Sequence, residues 1–407
     1  MIIVTMIILA FMCISQGLKK EYMSPLFIFP ALWIVVLFLY NLRLYGIYEI
    51  SLNTEVILFL GIIGFLIGAT FFKYISIKPK HYLYSNKICF TKIKIVFFAV
   101  FILSLNFYVP NIIKVLQGTT VNEIKMMLVT GDIDLGGITM QYIVRPFTYI
   151  IIAVSTYCMF YRRDQKTLIA LGGIYLIFEF FGAGSKTIIL YTILCIALPT
   201  ARNITERTHK HFGKKTIIII LALFLFVFMG SKSVYFYISG CIPMLDKVIN
   251  TSFYMPSGYA MGFVSFNSVI RFLVKVVSLF GVNLNLPLFE QGNLYITRFE
   301  YTTEVGYGLK YNAFHTFIGD FYVDFGIIGV IAFSIMFGML SMYIYRLYKK
   351  TNGSILSHIL YCIILYYIAF SLVRFQMSNT FLGLMLIYSL TIVKFITYNT
   401  KLSIIKK

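Results

Sequence analysis

Apolar runs close to the ~20 residues that cross a bilayer recur from one end of this 407-residue chain to the other. Lipid offers the backbone no hydrogen-bond partner, so a chain built of such runs must satisfy its amides within helices. The runs are continuously apolar rather than alternating, which excludes a β-barrel. Only 12% of the residues are charged, against roughly 25% in water-soluble domains. The expected fold is an all-α polytopic membrane protein of about eleven transmembrane helices. They fall at about 1–15, 25–41, 55–72, 95–113, 141–160, 167–182, 186–200, 216–230, 325–345, 354–373 and 377–393.

A net charge of +20 would suggest nucleic acid in a soluble protein. Its placement argues otherwise. When alternate loops are assigned to alternate sides, one side carries 23 basic residues and three acidic ones, and the other carries 12 of each. The positive-inside rule makes the first side cytoplasmic, so topology absorbs the excess and no nucleic-acid partner is implied. The N-terminus is then outside and the C-terminus cytoplasmic. Lys19 and Lys20 follow the first apolar run rather than precede it, which favours a retained helix over a cleaved signal peptide. The six cysteines include no CxxC pair, so neither a zinc site nor a disulfide framework is indicated.

Three regions emerge: a bundle of eight helices over 1–230, a large external loop over 231–324, and three helices with a basic tail over 325–407. Within the loop, 260–280 is apolar but carries Arg271 and Lys275 four residues apart. Spanning would bury both, at roughly 2.5–3.5 kcal/mol each. An amphipathic helix lying in the outer interface is expected instead. No inverted repeat of the transporter kind is visible.

Soluble-enzyme motifs are absent. Charged residues gather instead at external helix ends. Arg145 precedes Pro146; Glu179 and Lys186 flank the Gly182-Ala183-Gly184-Ser185 turn; Arg271, Lys275 and Arg298 lie in the large loop; His315, Asp320 and Asp324 precede the ninth helix; and Arg374 ends the tenth. Arginine offers phosphate oxygens a planar fork and lysine a point charge. Fixed cations lower the barrier to pyrophosphate departure, and His315, Asp320 or Asp324 is suited to take a proton from an attacking hydroxyl. The alternative for each cation is snorkelling to headgroups, and for the two aspartates, capping the ninth helix. Asp320 and Asp324 alone supply too few ligands for a divalent metal.

Three stretches resemble the oligosaccharide repeat-unit polymerases of O-antigen and capsule pathways, the Wzy group. They are Pro25–Tyr40 with the Gly- and Phe-rich helix that follows, Gly184-Ser185-Lys186-Thr187, and Tyr311-Asn312-Ala313-Phe314-His315-Thr316 leading into Asp320-Phe321-Tyr322-Val323-Asp324-Phe325-Gly326 and Gly329. The resemblance implies a GT-C-like, inverting glycosyltransferase of the bacterial inner membrane, with no metal, cofactor or nucleotide-sugar site. Its substrates would be undecaprenyl-pyrophosphate-linked oligosaccharides, with membrane lipids, a chain-length regulator and a flippase as further partners. It would also give Arg145 and Lys186 a role in handling substrate, although lysine stands at 186 where the family often has arginine. An O-antigen ligase and a lipid-linked oligosaccharide flippase are the rival readings. A flippase would place its charges at mid-membrane rather than at helix ends.

Overall fold

The computed structural model describes residues 1–75, 88–130, 137–205, 232–251, 258–282, 284, 286–298, 303–311 and 315–393. The helix predicted at 216–230 and the basic tail from Lys394 lie outside the described residues.

The chain opens with α1 (Ile2–Leu18), α2 (Pro25–Asn41) and α3 (Leu52–Tyr74). Next come α4 (Phe90–Leu116), α5 (Val121–Thr130), α6 (Gly137–Tyr161), α7 (Lys166–Ile177) and α8 (Thr187–Thr205). Four shorter helices follow: α9 (Lys232–Ser239), α10 (Cys241–Asn250), α11 (Asn267–Leu279) and α12 (Pro287–Arg298). A hairpin of β1 (Thr303–Gly306) and β2 (Leu309–Tyr311) leads to α13 (Thr316–Lys350), α14 (Ile355–Ala369) and α15 (Thr380–Tyr388). Among the described residues, α3, α4, α6 and α13 are long and apolar enough to cross a bilayer, and shorter apolar helices include α1, α2 and α14. On α1 the exposed residues Ile3, Ile7, Phe11, Ile14 and Leu18 recur every three or four positions, opposite buried Thr5, Leu9 and Gln16. An outward apolar stripe of this length is compatible with a lipid neighbour.

Two compact units divide the chain: Met1–Ile77, Asn203–Arg346 and Ile364–Gly383 form the first, and Lys78–Arg202, Leu347–Ile363 and Leu384–Lys407 the second. In the first, α3 and α13 pack in parallel at backbone contact. A Cβ on Gly68 would stand 2.0 Å from the Ile335 carbonyl oxygen, and one on Gly338 would stand 2.1 Å from that of Phe65. Small residues permit such close helix pairs. Aromatic rings fill the space beside them. Phe29 stacks on Phe65 at 3.8 Å, Trp33 meets Phe317 edge-on, and Phe337 packs on Phe375. Trp33 Nε1 donates to Ser371 Oγ at 3.1 Å, and the Ser371 carbonyl accepts from Phe317 N at 2.8 Å.

Helix α13 begins earlier than the predicted 325–345. It starts at Thr316 and breaks where Phe325 and Gly326 leave helical geometry. Gly326 has φ +62°, ψ −148°, a conformation open essentially to glycine alone. Asp320 and Asp324 therefore sit on a helical segment before the break, not in a loop. The predicted loop 231–324 is itself folded: Met244, Val248, Ala260, Val264, Tyr295, Val305 and Val323 bury one another. The ends of α1, α3 and α13 also meet, since Lys73 Nζ donates to Gln16 Oε1 (3.2 Å) and Arg346 donates to the carbonyls of Phe72 and Ile75. Segment 43–48 pairs with the hairpin, through an Ile47–Gly306 bridge.

In the second unit, α6 enters through a π turn at Met140–Val144, and α7 leaves through another at Phe178–Gly182. Such turns are rare and gather at functional sites.

Candidate functional site

The second unit holds a buried carboxylate between two partners. Glu179 lies in the π turn after α7, among Phe178, Phe180 and Phe181, with no solvent exposure. A charge so placed must be paired. Arg145, the first residue after the other π turn, gives Nε (3.3 Å) and Nη2 (2.9 Å) to Glu179 Oε1. Tyr108 on α4 donates its hydroxyl to Oε2 at 2.5 Å. The Arg145 side chain is 21% exposed. Ser185 N donates to the Glu179 carbonyl, and Asn111 Nδ2 to that of Gly182 at 2.9 Å. These bonds fix the glycine turn that presents Lys186, which is exposed. Gly184 takes φ +63° there, and the stem of Lys125 on α5 lies where a Cβ would go (2.8 Å). Thr187 comes within 3.5 Å of the Tyr149 hydroxyl, one helical turn beyond Arg145. Arg145 and Tyr108 thus hold one carboxylate, and the turn beside it carries Lys186, with Lys125 against Gly184.

The first unit holds a second group on the early turns of α13. His315 Nε2 and Asp320 Oδ1 stand 2.8 Å apart, their side chains 3% and 2% exposed. A carboxylate on one imidazole nitrogen fixes the orientation of the ring. Asp320 Oδ2 accepts the Phe375 backbone N–H at 2.8 Å, so the same carboxylate holds the turn that carries Arg374, itself buried. The Tyr295 ring packs edge-on to the imidazole at 4.9 Å. Asp324, one turn further, serves a different segment. Its oxygens accept backbone N–H groups from Gly262 (2.9 Å), Val264 (3.0 Å) and Ser265 (2.7 Å). Three such bonds make it the clamp of the 260–265 turn.

No protein-family model, curated protein or solved structure matches this chain.

The structure brings Arg145 together with Glu179, and His315 together with Asp320 and the Arg374 turn; Lys186 is exposed on the neighbouring glycine turn. Arg271 and Lys275 ride on α11, half-buried and exposed respectively. The side chain of Arg298 and residues 312–314 lie outside the described residues. Sequence reasoning placed Glu179 beside the turn without giving it Arg145 as partner, and passed over Tyr108 and Lys125. A lone carboxylate in an apolar run was the available signal.

Proposed function

We propose that this protein polymerises undecaprenyl-pyrophosphate-linked oligosaccharide repeat units into O-antigen or capsule, at the outer face of the bacterial inner membrane, on a GT-C-like bundle of about eleven spans. The observation that carries the reading is an arginine held on a buried carboxylate by two nitrogens, its side chain 21% exposed, with an exposed lysine on the adjoining turn. Fixed cations of this kind suit a departing pyrophosphate, because no reorganisation is needed as charge develops. In the first unit, the His315–Asp320 pair is the group suited to proton transfer.

The sidedness in this proposal draws support from the first unit. Segments assigned to the cytoplasmic face touch each other near Gln16, Lys73, Ile75 and Arg346, and external segments pair at Ile47 and Gly306. Parallel α3 and α13 require an odd number of crossings between them. Spans at 95–113, 141–160, 167–182, 186–200 and 216–230 supply five, leaving 260–280 in the interface. At 13 residues α11 reaches about 20 Å, short of the ~30 Å hydrocarbon core. Reporter fusions active only outside the membrane are expected to work at residue 290 and fail at residue 350. Activity at 350 would make that segment a span.

The reaction is tested with purified protein, lipid-linked repeat units and EDTA. A ladder of polymer is the expected product, with chelator leaving its yield unchanged. Loss of polymer in EDTA, restored by magnesium or manganese, would recast the aspartates as metal ligands. Transfer to lipid A core in place of polymer would make the enzyme a ligase.

A further inference from the structure

The first unit displays tyrosines from two distant segments on one rigid surface. Tyr45 and Tyr48 come from the link between α2 and α3, and Tyr307 from the tip of the β1–β2 hairpin. The Tyr48 and Tyr307 rings meet at right angles (5.3 Å, 82°), forming an open corner. Tyr45 is braced edge-on by Tyr235 at 5.6 Å. Tyr307 is 81% exposed, whereas Tyr45, 52% exposed, also packs on Phe236 at 5.4 Å. Tyr307 N donates to the Gly46 carbonyl at 3.2 Å, and Tyr48 N to that of Val305 at 3.0 Å, which holds the three rings adjacent.

The link is pinned and strained. Arg43 and Tyr45 both take left-handed φ (48° and 62°) without being glycine. The Tyr235 hydroxyl accepts Leu44 N at 2.9 Å, and the Tyr40 hydroxyl accepts Ile50 N at 3.1 Å. Non-glycine residues held this way are common at ligand clamps. Around the rings lie charges of both signs: Glu49 paired with Arg43, exposed Glu304 and Lys310 opposite each other on the hairpin, and Lys247 Nζ 5.8 Å from the Tyr48 ring.

We propose that Tyr48 and Tyr307, with Tyr45 bracing the link beside them, form a carbohydrate platform that holds the glycan. A pyranose has an apolar C–H face that stacks on a ring and a rim of hydroxyls that seeks carboxylates and ammonium groups; this corner supplies both. Mixed charge gives no preference for an anionic headgroup layer, and an interfacial tyrosine belt needs no strained, pinned loop. The identity of the glycan rests on the polymerase reading; the platform does not.

The test is titration of the detergent-solubilised full chain with the source bacterium's surface polysaccharide, freed of lipid by mild acid, with dextran as an unrelated control. Binding is expected to the polysaccharide and not to dextran. Tyr307→Ala is expected to weaken it about tenfold, as loss of one stacked ring implies, while Tyr307→Phe stays within about twofold of wild type. Failure of the wild-type chain to bind, or equal affinity in Tyr307→Ala, overturns the platform. Equal loss in the Phe and Ala variants overturns the stacking geometry. Polymer synthesis from lipid-linked repeat units by the purified wild-type chain separates the two readings. If that chain binds the polysaccharide but makes no polymer, the polymerase reading fails and the platform stands. If it makes polymer while Tyr307→Ala binds unchanged, the reverse holds.

Discussion

Arg145→Ala is expected to abolish long-chain polymer, read as loss of the surface-glycan ladder from cells whose membranes still contain the protein. Arg145→Lys should lose at least about tenfold, because one ammonium cannot both hold Glu179 and face a substrate phosphate as a planar fork does. Alanine also leaves Glu179 buried beside Tyr108 alone, and an unpaired buried charge costs about 3–5 kcal/mol. Arg145→Gln separates these effects, since its amide still donates to the carboxylate but carries no charge. It should leave the protein at normal abundance and still make no polymer. Polymer of normal length from the Gln variant would return Arg145 to a structural role. Glu179→Gln should keep abundance and lower polymer yield by weakening the grip on the guanidinium.

The other large effect is mechanical. Gly68→Val is expected to remove folded protein from the membrane, and Gly338→Val to do the same. At each position the obstacle is a backbone carbonyl, at 2.0 Å and 2.1 Å, so α3 and α13 must part rather than a side chain turn aside. A cost of about 3 kcal/mol or more follows, at the upper end of overpacking. Gly173→Ala is the control, because no atom lies within 4 Å of a Cβ there. In the middle of α7 it should raise the thermal midpoint slightly through helix propensity. Thermal unfolding in detergent compares the three. A Gly68→Val protein as stable as wild type would mean that α3 and α13 do not pack at this distance.

The helical class and most helix positions were legible because hydropathy is local. Each apolar run carries its own signal, and α3, α4, α6 and α13 lie where those runs predict. Pairings carry no such signal. Arg145 and Glu179 are 34 positions apart and Tyr108 is further still, and nothing in the intervening residues announces that two π turns bring them together. Asp320 illustrates both cases. Its bond to His315 spans five residues and was within reach of inspection, but its second oxygen holds Phe375 N, 55 positions on. Asp324, one turn after Asp320, was read as a candidate for proton transfer or as a cap of the ninth helix. The structure shows that it serves a different strand of chain, the 260–265 turn. The α13 start was missed for a related reason: Gly326 resembles a helix boundary in sequence, and it is a break within a helix already under way.

The two π turns have a genealogical consequence. A bond from residue i to i+5 closes over one more residue than the ordinary helical bond, so each turn holds a surplus residue whose removal would restore regular winding. Deleting one residue between Met140 and Val144, or between Phe178 and Gly182, would take up that surplus, leaving the helix beyond nearly in phase while re-aiming the residues in and beside the turn, Arg145 or Glu179 among them. The pair is therefore bound to helix length as much as to side-chain identity. In descendants and cousins of this chain, a one-residue gap at either place should travel with loss of the arginine, the glutamate or both.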